Sequence, residues 1–245
     1  MQQYKADLHI HTLLSPCGDL EMSPANVVEA AALKNIKILG IADHNSTKHA
    51  PLIKKLAEKS GIFTLCGAEV TTREEVHCLA FFETLENLDD FQQYLDNHIT
   101  KIKNDPKYFG YQVVVDEDEM IVEQIDHLLI SALNQSLDQV EQKIHSLNGL
   151  FIPAHIDRPK YSLTSQLGFV PPGIKADALE ISKHTTVDQM LTKFPYLKDY
   201  TFISNSDAHM PDQLGTNCTL FHLQDLSFAE IRMALKGEKG RKAVL

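Results

Sequence analysis

Histidine and carboxylate side chains recur in this sequence at spacings that suit a divalent cation. Asp7-Leu-His9-Ile-His11-Thr12 sets two imidazoles two residues apart. On an extended chain both face the same side and can chelate one ion. Asp207-Ala-His209 repeats the spacing with a carboxylate and an imidazole. Between them come Ala42-Asp43-His44-Asn45, Gly67-Ala-Glu69-Val70, His77 and Pro153-Ala-His155-Ile-Asp157-Arg158-Pro159. Imidazole and carboxylate together suit Zn, Mn or Fe better than Ca or Mg alone. A carboxylate such as Glu69 can bridge two ions, and ions about 3.5–4 Å apart promote in-line displacement at phosphorus. Asp43, directly before His44, is placed to orient a ligating imidazole. Each motif alone is weak, but their joint recurrence points to a metal centre.

The elements that must position these groups alternate. Residues 4–10 read as a strand, and Ser23-Pro24 supplies an N-cap and first-turn proline for a helix to residue 35. The apolar run 36–42 has buried-strand length, a polar helix follows over 47–59, and 62–65 is the next strand. In the strand 76–82, His77, Leu79 and Phe81 share one face, and Cys78, Ala80 and Phe82 share the other. This βαβαββ order predicts a largely parallel sheet or barrel. Residues 85–148 are charge-rich and helical by period, with Asp116–Glu119 as an acidic flank at a helix N-terminus. Strands resume at 150–154, 178–181, 200–204 and 219–223, and Ser227-Phe-Ala-Glu230 predicts a capping box on a last helix. Six elements thus bring metal-type side chains toward strand C-terminal ends, the edge where parallel α/β folds gather ligands.

Composition narrows the class. The chain has 245 residues, 43% hydrophobic and 23% charged, and a net charge of −10. That balance disfavours a broad grip on long nucleic acid, but not a short anion held by bound metal. Cys17, Cys66, Cys78 and Cys218 form no CxxC pair, so neither a disulfide framework nor a zinc ribbon is expected. With no apolar leader and no run near ~18 apolar residues, a cytoplasmic chain with no membrane span and no evident protein partner is expected. His98, His127, His145 and His222 have no partner motif and read as solvated or core residues, and His49 lies beyond the strand end on a polar helix.

The series DLHIHT, SPCGD, IADHN, GAEV, EVHCLAFF, PAHIDRP and SNSDAH resembles the PHP (polymerase and histidinol phosphatase) family of metal-dependent phosphoesterases. The resemblance covers nearly the whole chain outside 85–148. It implies an α/β fold, a distorted (β/α)7 barrel of the PHP type over 1–84 and 149–245, with 85–148 as a helical insertion or cap. It also implies two to three divalent ions (Mn, Fe or Zn). His9, His11, Glu69 and Asp207 would hold the first ion, Glu69 would bridge to a second completed by His77 and His155, and Asp19, His44 and His209 would hold a third. The loop Ser15-Pro-Cys-Gly-Asp19 departs from the histidine or Ser-Asp-Gly that many relatives carry.

Arg158 is the expected phosphate-binding cation, because guanidinium grips phosphate bidentately. His184 is expected at the same mouth as substrate binder or leaving-group acid, with Asn45 as a further substrate contact. The expected activity is hydrolysis of a small phosphorylated substrate, such as a nucleoside 3′,5′-bisphosphate. Alternatives are a 5′–3′ exonuclease on short oligonucleotides, a histidinol-phosphate phosphatase and a non-catalytic metal-bound scaffold.

Overall fold

The apolar run after Lys37 becomes a strand buried along its whole length, covered by side chains above and below. The computed structural model covers residues 1–245. The chain opens with β1 (Gln2–Ile10), α1 (Pro24–Leu33), β2 (Ile38–Ile41), α2 (Ala50–Glu58) and β3 (Phe63–Thr71), and the three strands pair in parallel. Ser23 caps α1 by accepting from the Asn26 N–H, with Pro24 in the first turn. β4 (His77–Phe82) turns back antiparallel to β3.

The segment expected as helical is mixed. It holds α3 (Leu85–His98), the single turn α4 (Pro106–Phe109), a hairpin of β5 (Val113–Val115) and β6 (Ile121–Gln124), and α5 (Leu137–Ser146). Asp116–Glu119 is therefore the turn of a hairpin and not a helix flank. Glu117 pairs there with Lys55 of α2, and Glu119 takes a positive φ of 60°. Leu88, Phe91 and Leu95 of α3 and Val140 and Ile144 of α5 share one apolar core with α1, α2 and the outer strand faces.

β7 (Leu150–Pro153) runs antiparallel to β4 and so shares the direction of β1 to β3. After α6 (Leu163–Gln166), β8 (Leu179–Glu180), α7 (Val187–Lys193) and β9 (Phe202–Ile203) follow, with β8 and β9 parallel. Backbone bonds join this pair to β7 at one edge of the large sheet and to the end of β1 within it. Ile156 N–H donates to Glu180 O at 2.8 Å, and His11 N–H donates to Ala208 O at 3.0 Å. β1, β2, β3, β4, β7, β8 and β9 thus curl into the distorted seven-stranded barrel, with β4 its antiparallel member.

β10 (Thr219–Leu223), α8 (Phe228–Leu235) and β11 (Lys242–Val244) complete the chain, and β10 pairs antiparallel with Gln2–Ala6 of β1. Ser227 caps α8, but Glu230 does not return the bond expected of a capping box. Its carboxylate accepts from Gln224 N–H at 2.7 Å and pairs with Arg241 at 2.8 Å. The strands alternate between two apolar clusters. Leu65, Leu79, Phe81, Leu150 and Ile152 form the inner one, closed by Phe228 and Ile231 of α8. Cys66, Ala68, Cys78, Ala80, Phe82 and Phe151 lie on the opposite side, under the helices.

Candidate metal centre

The inner strand faces end in polar groups at one rim of the barrel. The β1–β2 register shifts between Asp7 and Ile10, an irregularity of the kind that re-aims side chains beside sites. His9 and His11 then share a side, as their spacing predicts. His44 follows β2 and bridges to Glu69 of β3. His77 reaches the rim differently from the expectation: it is the first residue of antiparallel β4, opposite Thr71 at the end of β3. His155 follows β7, and Asp207 and His209 follow β9.

Glu69 sits among five imidazoles. Its Oε1 lies 3.2 Å from His9 Nε2, 2.9 Å from His77 Nδ1 and 3.1 Å from His155 Nε2. Its Oε2 lies 3.4 Å from His11 Nε2 and 3.1 Å from His44 Nδ1. Asp207 Oδ1 is 3.3 Å from His9 Nε2 and 3.2 Å from His11 Nε2. All five rings are buried, yet His9 Nε2, His11 Nε2, His44 Nδ1, His77 Nε2 and His155 Nδ1 make no hydrogen bond. Buried polar atoms are costly unless hydrogen-bonded or bound to metal. This donor set therefore fits divalent cations. Three groups of ligand atoms converge: His9, His11 and Glu69; His44, Glu69 and His77; and His11, Cys17, His44 and His209.

The electrostatics agree. Burial alone would push the Glu69 carboxyl up, but His77, His9 and His44 bring it well below the usual range. Burial likewise raises Asp207, and His9 and His11 more than reverse it. Burial disfavours charge on His9, yet Glu180, Asp207 and Glu69 lift it well above an ordinary histidine. His44 is held well below by burial, with His11, His77 and His209 adding repulsion. His209 falls to about 4, by burial first and His11 second.

A supporting layer escaped the sequence reading. Glu180 accepts from His9 Nδ1 at 3.0 Å, from His155 N–H at 2.9 Å and from Asn205 Nδ2 at 2.7 Å. Its one signal was a carboxylate inside the apolar run Ala178-Leu-Glu-Ile181. Asp43, expected beside His44, connects instead through Ser15 to the His11 ring. Ser15 Oγ donates to Asp43 at 2.8 Å and lies 3.0 Å from His11 Nδ1. His49, at the start of α2, is fully buried between Thr12 Oγ1 at 2.7 Å and the Val115 N–H at 3.0 Å. Asp7 accepts from Ser206 and Gly215, and burial pushes its carboxyl up to about 6.

Two expected contacts are not brought into the centre. The Asp19 carboxylate accepts from Glu21 N–H at 2.8 Å, and Asp19 is absent from the convergent groups. Asn45 donates to Leu129 O at 2.7 Å and Ser131 O at 3.0 Å and accepts from Thr71 N–H at 3.1 Å. Its amide is committed to backbone, which corrects the substrate-binding expectation. Asn45, His155 and Asp207 all hold positive φ, at 46°, 29° and 52°. Strain of this sort clusters where side-chain aim matters.

Arg158 and His184 do reach the mouth. Arg158 Nη1 contacts Asp207 Oδ2 at 2.5 Å, and the Arg158 side chain is 39% exposed. Two clefts, of about 330 and 440 Å³, share Cys17, His155, Arg158, Asp207 and His209. The first continues over Lys160, Tyr161 and Ile130, and the second over Lys183 and His184. Tyr161 stacks on His77, with ring centroids 4.8 Å apart. A larger cleft of about 490 Å³ around His145, Asp177 and Arg232 lies apart from every convergent ligand group. His98, His127, His145 and His222 stay outside those groups. No helix is long and apolar enough to cross a membrane.

Comparisons with known proteins extend this picture. The PHP domain family profile matches residues 7–167. Uncharacterized protein YqxK of Bacillus subtilis is 27% identical over 278 aligned residues, an alignment covering 100% of this chain and 65% of that one. The lesion-specific endonuclease PfuEndoQ of Pyrococcus furiosus superposes with a TM-score of 0.78 at 25% identity, covering 100% of this chain and 58% of that chain. An Endonuclease Q complex with a 27-mer duplex bearing an abasic lesion at its active site gives a TM-score of 0.75 at 24% identity, covering 98% and 58%. The chain thus spans about two thirds or less of the length of each.

Proposed function

The chain belongs to the PHP domain family, and from that premise we propose that it hydrolyses a phosphoester in a divalent-metal-dependent reaction, with a small nucleotide-type phosphomonoester as substrate. The carrying observation is the ring of five buried histidines around Glu69, each of which keeps one ring nitrogen without a hydrogen-bond partner. His9, His11, Glu69 and Asp207 would hold one ion, Glu69 with His77 and His155 a second, and His44 and His209 part of a third. Mn, Fe and Zn all suit these donors.

Divalent ions held there would lower the pKa of a bound water and offset charge on phosphate oxygens. The protein's own groups do the rest. Glu180 holds His9, and Ser15 holds His11, so that both rings present a fixed edge. Arg158, partly exposed at the mouth, is the group that would grip phosphate bidentately. His184, in the adjoining cleft, binds the leaving group or protonates its oxygen. The 85–148 segment acts as a cap: Ile130 lines the cleft, and the Asn45 bonds to Leu129 and Ser131 tie that stretch to the rim.

A nucleolytic reading stands second, favoured by one observation. Tyr161, Lys160 and Arg158 line one cleft together, an aromatic and basic surface on which a base and its phosphate can rest. The likeness to a lesion-specific endonuclease points the same way.

The test compares metal-stripped protein with protein reloaded with Mn. Substrates are adenosine 3′,5′-bisphosphate, a 5′-phosphorylated RNA oligonucleotide and an abasic DNA duplex. Metal-dependent phosphate release from the bisphosphate is expected. Strand scission with the bisphosphate untouched would replace this reading with the nucleolytic one. Loaded metal with no hydrolysis of any of the three would overturn both in favour of a scaffold.

A further inference from the structure

The third convergent group contains a side chain outside the set implied by family resemblance. Cys17 Sγ and the ring nitrogens of His11, His44 and His209 all lie within 4.8 Å of one another. His11 and His44 are 0% and 4% exposed, and His11 Nε2 and His44 Nδ1 lack hydrogen-bond partners, so unpaired polar atoms line the space beside the sulfur. Asp19, two residues on, is outside this group, and its carboxylate accepts from Glu21 N–H.

The local chain explains why Cys17 and not Asp19 reaches the rings. Gly18 N–H donates to Ser15 O at 2.9 Å, and Asp19 N–H donates to His209 O at 2.9 Å. A Cβ on Gly18 would lie 2.2 Å from Thr12 O, so glycine permits a turn that any side chain would force open. That turn lays the residue before it across the mouth. Cys66 and Cys78 are buried in the apolar core, and Cys218 Sγ lies 3.6 Å from Gly215 O, away from the rings.

We propose that Cys17 is a thiolate ligand of the third ion, together with His44 and His209. On binding, the S–H bond breaks, a sulfur–metal bond forms and the proton leaves to solvent. Thiolate with two imidazoles selects Zn or Fe at this position over the harder Mg or Mn. The inference rests on reading the site as a metal centre.

Cobalt(II) tests it without reference to turnover. Wild-type protein reloaded with cobalt should show a sulfur-to-cobalt charge-transfer band in the near ultraviolet. The band should vanish in C17S and persist in D19N and C218S. Elemental analysis of zinc-loaded protein should find one ion fewer per chain in C17S and no loss in D19N. Cys17 is exposed, so C17S should fold as wild type does, checked by circular dichroism. Bound cobalt with no band in the wild type, or an ion lost in D19N but kept in C17S, would overturn the assignment of Cys17. A chain that binds no metal would overturn this inference and the metal-centre reading together. A band without hydrolysis would leave Cys17 standing and count against the proposed function alone.

Discussion

Glu180 grips His9 through Nδ1 at 3.0 Å, which leaves His9 Nε2 directed at the centre of the site. A carboxylate on the outer nitrogen fixes the tautomer and orientation of a ligating ring and raises its basicity. Glu180→Gln should keep the fold and lower metal affinity ~10- to 100-fold, the range such supporting contacts carry. Competition with a chromogenic chelator measures it. Unchanged affinity would mean that Glu180 only joins β8 to β7.

Glu69 touches every ring in the first two groups. Glu69→Gln should therefore lose more than one ion per chain, with hydrolysis falling to background. Elemental analysis alongside the phosphate-release assay checks this. A variant that keeps full metal and full turnover would refute the bridging role.

Arg158 is bound to a would-be metal ligand yet half open to solvent. Arg158→Ala should lower kcat/KM on phosphomonoesters by ~10- to 100-fold, the worth of a hydrogen bond to a charged group at about 1.5–3 kcal/mol. Metal content should not change. Loss of metal in this variant would instead assign Arg158 to holding Asp207 in place.

His209 predicts how the metal-free protein responds to acid. Its folded-state value is about 4, against 6.5 for an ordinary histidine. Between those values the unfolded chain binds a proton that the folded chain refuses, so stability falls as pH drops from 6.5 and the loss is complete below about 4. Urea titrations at several pH values should show wild type losing stability relative to His209→Gln across that window, by no more than about 3 kcal/mol. Parallel pH profiles for the two would contradict the depressed value.

Much of the centre was legible because chelation imposes short local spacings. His9 with His11, and Asp207 with His209, could be read from alternation along an extended chain. Glu180 could not, because its role depends on β8 lying beside β7 and β1, and no local pattern encodes that neighbour. Asn45 misled in the opposite sense: its type suits substrate binding, but the positive φ after β2 turns its amide onto Leu129 and Ser131. The hairpin at β5–β6 was missed because the acidic run Asp116–Glu119 suits a helix flank as well as a turn. Its pairing with Lys55 exists only in three dimensions. Cys17 has no second cysteine at a metal-ligand spacing, and the histidines near its sulfur come from distant parts of the sequence.

The double pairing of β1, with β10 along its first half and with Ala208 beyond, has a temporal consequence. Leu8 N–H closes onto Asn205 at 2.8 Å across 197 positions of sequence. His9 and His11 leave the ribosome well before Asp207 and His209. Contacts of such long range are slow to form, because loop entropy is lost before they return anything. The two sides of the site are therefore late to meet, and an ion bound by both would hold these distant stretches of chain together.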